Sequence, residues 1–290
     1  MRIEWDRCAE PQDDEHDTDV IWNLVTTTVT PIRRQIHRRR LPEGSPTIFD
    51  GAVAVRYFNQ FVPGYPRNDH GRLDHPNIWA AADYVRRWPQ AYLQFRRLMD
   101  SFHPMIDRNV PESEYNIRLG SNSHSDEPMF GAMYASYFDP LGTAEAMVHE
   151  MAHNKLRGLG VYVEWAQRII TNPPDELFES PIRKDVLRPM TAVLHAQYSF
   201  IHVTQLDLKM IAAETDETMI PKMLFLLAAN VPRMEEGFDE MRRNAKLDAT
   251  GELFMDAFNR WSDKVIEEGN RLLEKHGVAK HATMRVTAND

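Results

Sequence analysis

The sequence predicts a mainly α-helical fold carrying one small antiparallel β element, and three observations lead there. Long segments place apolar residues at helical spacing, from "HPNIWAAADYVRRWPQAYLQFRRLMDSF" to the last hundred residues. Only between Tyr115 and Tyr137 does a run rich in aromatics and small residues follow a turn-like stretch, "HSDEP". Composition is that of an ordinary globular chain, 42% hydrophobic and 27% charged over 290 residues, so a sizeable core can be buried.

Taken in order, residues 1–18 read as a loose leader, residues 19–276 as a single helical domain and residues 277–290 as a fraying tail. "VIWNLVTTTVTPIRRQ" suits a first helix, closed by the basic run Arg33 to Arg40. Cations there complement the macrodipole of a solvated helix end; the alternative is a docking surface for an acidic partner. Two helices then meet at Pro89, with Trp79, Tyr84 and Leu93 among the core candidates. "YNIRLGSNS" and "MFGAMYASYF" are expected to pair as short strands and to deliver the chain into "DPLGTAEAMVHEMAH", which places a strand beside that helix. The apolar segment "LRPMTAVLHAQYSFIHVTQLDLKM" makes another long helix. Two amphipathic helices follow near 217–245 and 250–275, the first interrupted at Pro232.

Charge and composition exclude several classes. A net charge of -9 disfavours general nucleic-acid binding. With no run of 18 apolar residues and a polar, acidic N-terminus, neither a membrane span nor a secretory signal is expected, and the protein is assigned to the cytoplasm. The single cysteine, Cys8, rules out an internal disulfide and fits a reducing compartment.

The chemistry concentrates in His149-Glu150-Met151-Ala152-His153. Histidines at i and i+4 share one helix face a turn apart, so their imidazoles can converge on one ion. Glu150 points about 100° away, and from there it reaches metal-bound water more readily than the ion. Asp139 and Pro140 start this helix, and Ala144, Met147, Val148 and Met151 supply its packing face.

A third ligand comes from one of two places. Thr191, His195, Tyr198, His202 and Gln205 form a polar stripe along an otherwise apolar helix, either a solvent face or, as the apolar flanks favour, a buried polar wall, and His195 is the favoured donor. Glu176 or Glu179 in "PPDELFES" is the acidic alternative, on a stretch that reads as a loop.

"GAMYASYFDPLGTAEAMVHEMAHNKL" followed by "SPIRKDVLRPMTAVLHAQYSF" resembles the HExxH-motif family associated with peptide natural-product gene clusters. The resemblance covers roughly residues 120 to 205. It rests on a Gly-bearing strand, the metal word followed by Asn154 and Leu156, Ser-Pro-x-Arg ending at Arg183, Arg188-Pro189, and Leu194-His195 before an aromatic helix. The chain departs from the family in having Ile182 where Trp is usual, one added residue in "RKDVLRP", and Ala192 where Gly is usual.

The resemblance implies a zincin-like strand beside an HExxH metal helix, and a non-haem iron(II) and 2-oxoglutarate-dependent hydroxylase. Its metal ligands would be His149, His153 and His195, leaving open positions for a bidentate 2-oxo acid and dioxygen. Arg183 or Arg188 would pair with the distal carboxylate of the cosubstrate. Glu150 would tune the metal from outside its ligand set, and Tyr198 would orient substrate or oxygen. The substrate would be a peptide or an amino acid, free, carrier-bound or leader-bound, hydroxylated at an unactivated C–H, with the β-carbon favoured. The same five residues also serve a zinc peptidase, in which Glu150 deprotonates zinc-bound water. A third reading is a non-enzymatic helical scaffold whose fifteen methionines form an adaptable surface.

Overall fold

The computed structural model describes residues 3–27, 44–57, 71–127, 129–180, 182 and 185–280. The fold is mainly helical, 55% helix in seven α-helices, with a small mixed sheet and a two-stranded antiparallel sheet among the described residues. The chain divides into two compact units, Asp13–Gly158 and Met1–Gln12 with Leu159–Asp290. No described helix is long and apolar enough to cross a membrane. The basic run Arg33 to Arg40 and residues 281–290 of the expected tail lie outside the described residues.

In the Asp13–Gly158 unit the elements are α1 (His16–Thr27), β1 (Thr47–Ile48), β2 (Val53–Val55), α2 (Pro76–Arg86), α3 (Pro89–Leu98), β3 (Ser101–Met105), β4 (Ser123–His124), β5 (Ala132–Ser136) and α4 (Pro140–Gly158). Pro89 separates α2 from α3 as predicted, because a proline at the first helical position tolerates its missing N–H. The core face differs from the prediction. Ile78, Ala81, Val85, Phe95 and Leu98 are buried, whereas Trp79 and Tyr84 are half-buried and Leu93 is 37% exposed. Small Ala81 and Ala82 occupy the side of α2 that faces its neighbours, which displaces the large aromatics to the flank.

The five strands run in the order β1-β2-β3-β5-β4. The expected antiparallel pair is present at one edge, with Ser123 opposite Ala135 and His124 opposite Tyr134, but its first strand is only Ser123–His124. Residues from Tyr115 are not part of it: Asn116 takes a left-handed φ of 65° and Ile117 is 75% exposed. The element the sequence does not reveal is the parallel pairing of β3 with β5, where Phe102 faces Met133 and His103 faces Tyr134. β5 is buried at every position, so it shows none of the alternation that marks a half-exposed strand.

The sheet delivers the chain into α4 as predicted. The Asp139 carboxylate accepts from the backbone N–H of Gly142 at 2.9 Å and of Gly120 at 3.1 Å, satisfying an orphan donor of the first turn and tying a neighbouring loop to it. Gly142 permits that approach, since a Cβ there would lie 2.2 Å from the Gly120 carbonyl carbon. Gly142→Ala is therefore expected to destabilise the protein by about 1–3 kcal/mol despite the better helix propensity of alanine, measured as a lowered denaturant midpoint. At the other end of β5 the Asn154 side chain accepts from the N–H of Gly131 at 2.9 Å, so strand and helix are pinned at both ends.

In the second unit the elements are a 3-10 turn at Trp5–Cys8, β6 (Leu177–Phe178), β7 (Arg188–Pro189), α5 (Met190–Ala213), α6 (Ile220–Asn244) and α7 (Ala249–Lys275). The Trp5–Cys8 turn packs on α7 and buries Cys8 completely, within the stretch that the sequence reads as a loose leader. α6 runs unbroken through Pro232, contrary to the predicted interruption. A proline inside a helix costs about 3 kcal/mol. Here Leu227, Ala228, Val231 and Met234 are buried around it, α6 packs on α5 and α7, and the Gln197 amide donates to the Met234 carbonyl at 2.8 Å. Asp248 caps α7 by accepting from the Gly251 N–H at 2.6 Å.

Candidate metal centre

α4 carries His149 and His153 on one face, as the i, i+4 spacing requires. Their Nε2 atoms stand 3.0 Å apart, with the rings nearly perpendicular at 87°. Two donors each about 2.1 Å from a shared ion are separated by roughly 3.0–3.4 Å, so the spacing suits a metal. With a Glu150 oxygen the donor atoms all fall within 4.8 Å of one another, the one such group of His, Cys, Asp and Glu among the described residues. Burial pushes the His149 ring below the ordinary histidine range, partly opposed by the Glu150 charge, which favours the lone pair that a metal needs.

Glu150 is buried and turned to the sheet. One carboxylate oxygen accepts from Ser123 Oγ at 2.7 Å and the other from Ser125 Oγ at 2.6 Å. Residues two apart on an extended chain project to the same side, so the two serines reach one carboxylate while His124 between them stacks on Tyr134 at 4.4 Å. Behind them the Arg157 guanidinium donates through Nη1 to Ser125 Oγ at 2.9 Å and through Nη2 to the Ser125 carbonyl at 2.8 Å. Ser123, Ser125 and Arg157 are absent from the sequence-based assignment. The available signal was the Ser-x-Ser spacing and the seven-residue step from Glu150 to Arg157, which returns to the same side of a helix.

The other predicted residues lie in the second unit. The stripe on α5 is a buried wall as expected: Thr191, His195, Tyr198 and His202 are buried and Gln205 is half-buried. His195 Nε2 lies 3.0 Å from the Val161 carbonyl, and because a carbonyl only accepts, this nitrogen carries the proton. His202 Nδ1 likewise donates to the Tyr198 carbonyl at 2.8 Å. Tyr198 packs among the rings of His202, Phe254 and Phe258. Glu176 is held by Lys246 at 2.9 Å and by Asn172 at 3.1 Å, with its carboxyl lowered by the hydrogen bond from Lys246 first and that from Asn172 second. Glu179 is exposed. Arg188 sits on β7 with Glu164 at 3.9 Å, and Arg183 lies outside the described residues.

Fold and site together define a mainly helical protein with a small mixed sheet and a His149–Glu150–His153 cluster able to hold a metal ion. Compared with known proteins, the chain matches no protein-family model and no curated sequence.

Proposed function

We propose that the protein is a non-haem iron(II) and 2-oxoglutarate-dependent oxygenase that hydroxylates an unactivated C–H bond, at the β-carbon, of a peptide or amino-acid substrate in natural-product biosynthesis. The observation that carries the reading is the engagement of Glu150: both of its oxygens accept serine hydroxyls, at 2.7 and 2.6 Å. A peptidase base needs a carboxylate oxygen turned to the metal-bound water. Here both oxygens are held by hydroxyls, from Ser123 of β4 and from Ser125 just past it, which suits a group that tunes the metal from outside its ligand set.

The reading takes His149 and His153 as two ligands and His195 as the third. The hydrogen bond from His195 Nε2 to the Val161 carbonyl orients the ring, as hydrogen-bonded partners commonly do for metal-binding histidines. Arg183 or Arg188 would take the distal carboxylate of the cosubstrate by paired hydrogen bonds. Tyr198, one turn from His195 on α5, would orient substrate or oxygen. Iron(II) with 2-oxoglutarate would supply the oxidising power for the C–H bond. The strand that leads into α4, with an antiparallel edge strand beside it, supports reading the sheet as zincin-like, and we assign the protein to the cytoplasm.

The test is anaerobic reconstitution of the full chain with iron(II), followed by 2-oxoglutarate. A metal-to-ligand charge-transfer band is expected, and succinate after oxygen is admitted. One observation favours the zinc peptidase instead: the Glu150 carboxylate belongs to the same 4.8 Å cluster as both histidine donors. Absence of the band, with peptide cleavage by the zinc form that is lost in Glu150→Gln, would establish that reading.

A further inference from the structure

We infer that Arg157, acting through Ser125, is a positioning residue for Glu150 and thereby sets the affinity and ligand field of the metal centre. The inference rests on the metal-binding reading of His149 and His153, and on either choice of metal. Arg157 lies seven residues after Glu150, two helical turns along and on the same side of α4. Although a guanidinium is costly to bury, this one is only 5% exposed. It makes no direct hydrogen bond to the carboxylate. Instead Nη1 and Nη2 both go to Ser125, one to its hydroxyl at 2.9 Å and one to its carbonyl at 2.8 Å.

Those two contacts determine what Ser125 can do. Its hydroxyl has one proton, and because it already accepts from Arg157, that proton is directed to Glu150 Oε2 at 2.6 Å. Ser123 supplies the second bond, at 2.7 Å, so the carboxylate plane is held at both oxygens. Burial lowers the Arg157 guanidinium, while Glu150 first, then Glu127 and Asp126, favour its charge. Its Nε is buried with no hydrogen-bond partner, so the side chain is placed to serve Ser125 rather than its own solvation. Glu150 follows His149 directly in the helix, and any rotation of its carboxylate changes the field at the histidine donors.

The experiment uses the full chain with cobalt(II) alone as probe, reading affinity by chelator competition and the visible d–d band of the folded protein. Arg157→Met and Ser125→Ala are each expected to weaken cobalt binding about 10- to 100-fold and to shift the band. Ser125→Thr, which keeps the hydroxyl, should restore both. Gly142→Ala loosens the same helix at its start without touching Glu150, and should leave affinity and band unchanged. Arg157→Met with wild-type affinity and spectrum would overturn the inference, as would a loss in Gly142→Ala equal to that in Arg157→Met. If Arg157→Met does not fold, Ser125→Ala decides alone, since it removes a single oxygen. A wild-type protein that binds no cobalt would sink the metal-binding reading and this inference with it, whereas normal binding that is indifferent to both variants would sink this inference only.

Discussion

His153→Ala is expected to leave the purified protein without bound metal. Its ring supplies one of two nitrogens standing 3.0 Å apart, and without it the ion loses the paired grip of α4. The loss should exceed the roughly 10- to 100-fold that outer residues of metal sites cost, and His149→Ala should behave alike. His153 is half-buried at the edge of α4, so the fold should change by about 1 kcal/mol or less. Metal content after purification and chelator competition measure the first effect, and denaturant unfolding of the apo form the second. Proton competition gives an independent check. Burial lowers the His149 ring, so its neutral form persists to below the usual histidine value near pH 6.5. Affinity should therefore hold down to about that pH and fall on further acidification as the His149 ring takes a proton. Stoichiometric metal in His153→Ala would remove His153 from the coordination sphere.

The metal word was legible because both histidines and their packing face lie within one helix, where spacing alone fixes direction. The groups that fix Glu150 were not, since Ser123 sits on an edge strand of two residues, Ser125 just past its end, and Arg157 two turns further along α4. The helices followed the same rule. α2, α3, α4, α5, α6 and α7 announce themselves by apolar periodicity and by Pro89 and Asp139 at the starts of α3 and α4. Pro232 misled because the packing around one helix outweighs the local cost of a proline, and that packing comes from α5 and α7. The parallel pairing of β3 with β5 left no trace, because "SFHPM" and "AMYAS" are short, buried and joined only through long-range contacts. Leu93 was read as core from its hydrophobicity, but α3 turns it outward while Tyr92 and Phe95 face in.

Lys155→Met is expected to destabilise the protein by about 3–5 kcal/mol, because it strands a buried charge. Lys155 and Asp17 are both fully buried, with Nζ 3.1 Å from the Asp17 carboxylate, and the same oxygen accepts from the Gln94 amide at 2.5 Å. Gln94 also donates to Thr18 Oγ1 at 2.9 Å, so one polar knot joins α1, α3 and α4. Residues 155 and 157 point about 160° apart around a helix, which means that α4 is clasped on one side by this knot and on the other by the contacts of Arg157. Replacing both charges together, Asp17→Leu with Lys155→Met, removes the stranded carboxylate and leaves Gln94 its bond to Thr18. The double variant should therefore be more stable than Lys155→Met alone, a non-additivity that a double-mutant cycle in guanidinium unfolding reads directly. Metal affinity of the folded double variant should match wild type, because residue 155 points about 160° from His153 around α4. A loss under about 1 kcal/mol in the single variant would show that the pair is solvated in solution and that α4 owes its position to apolar packing alone.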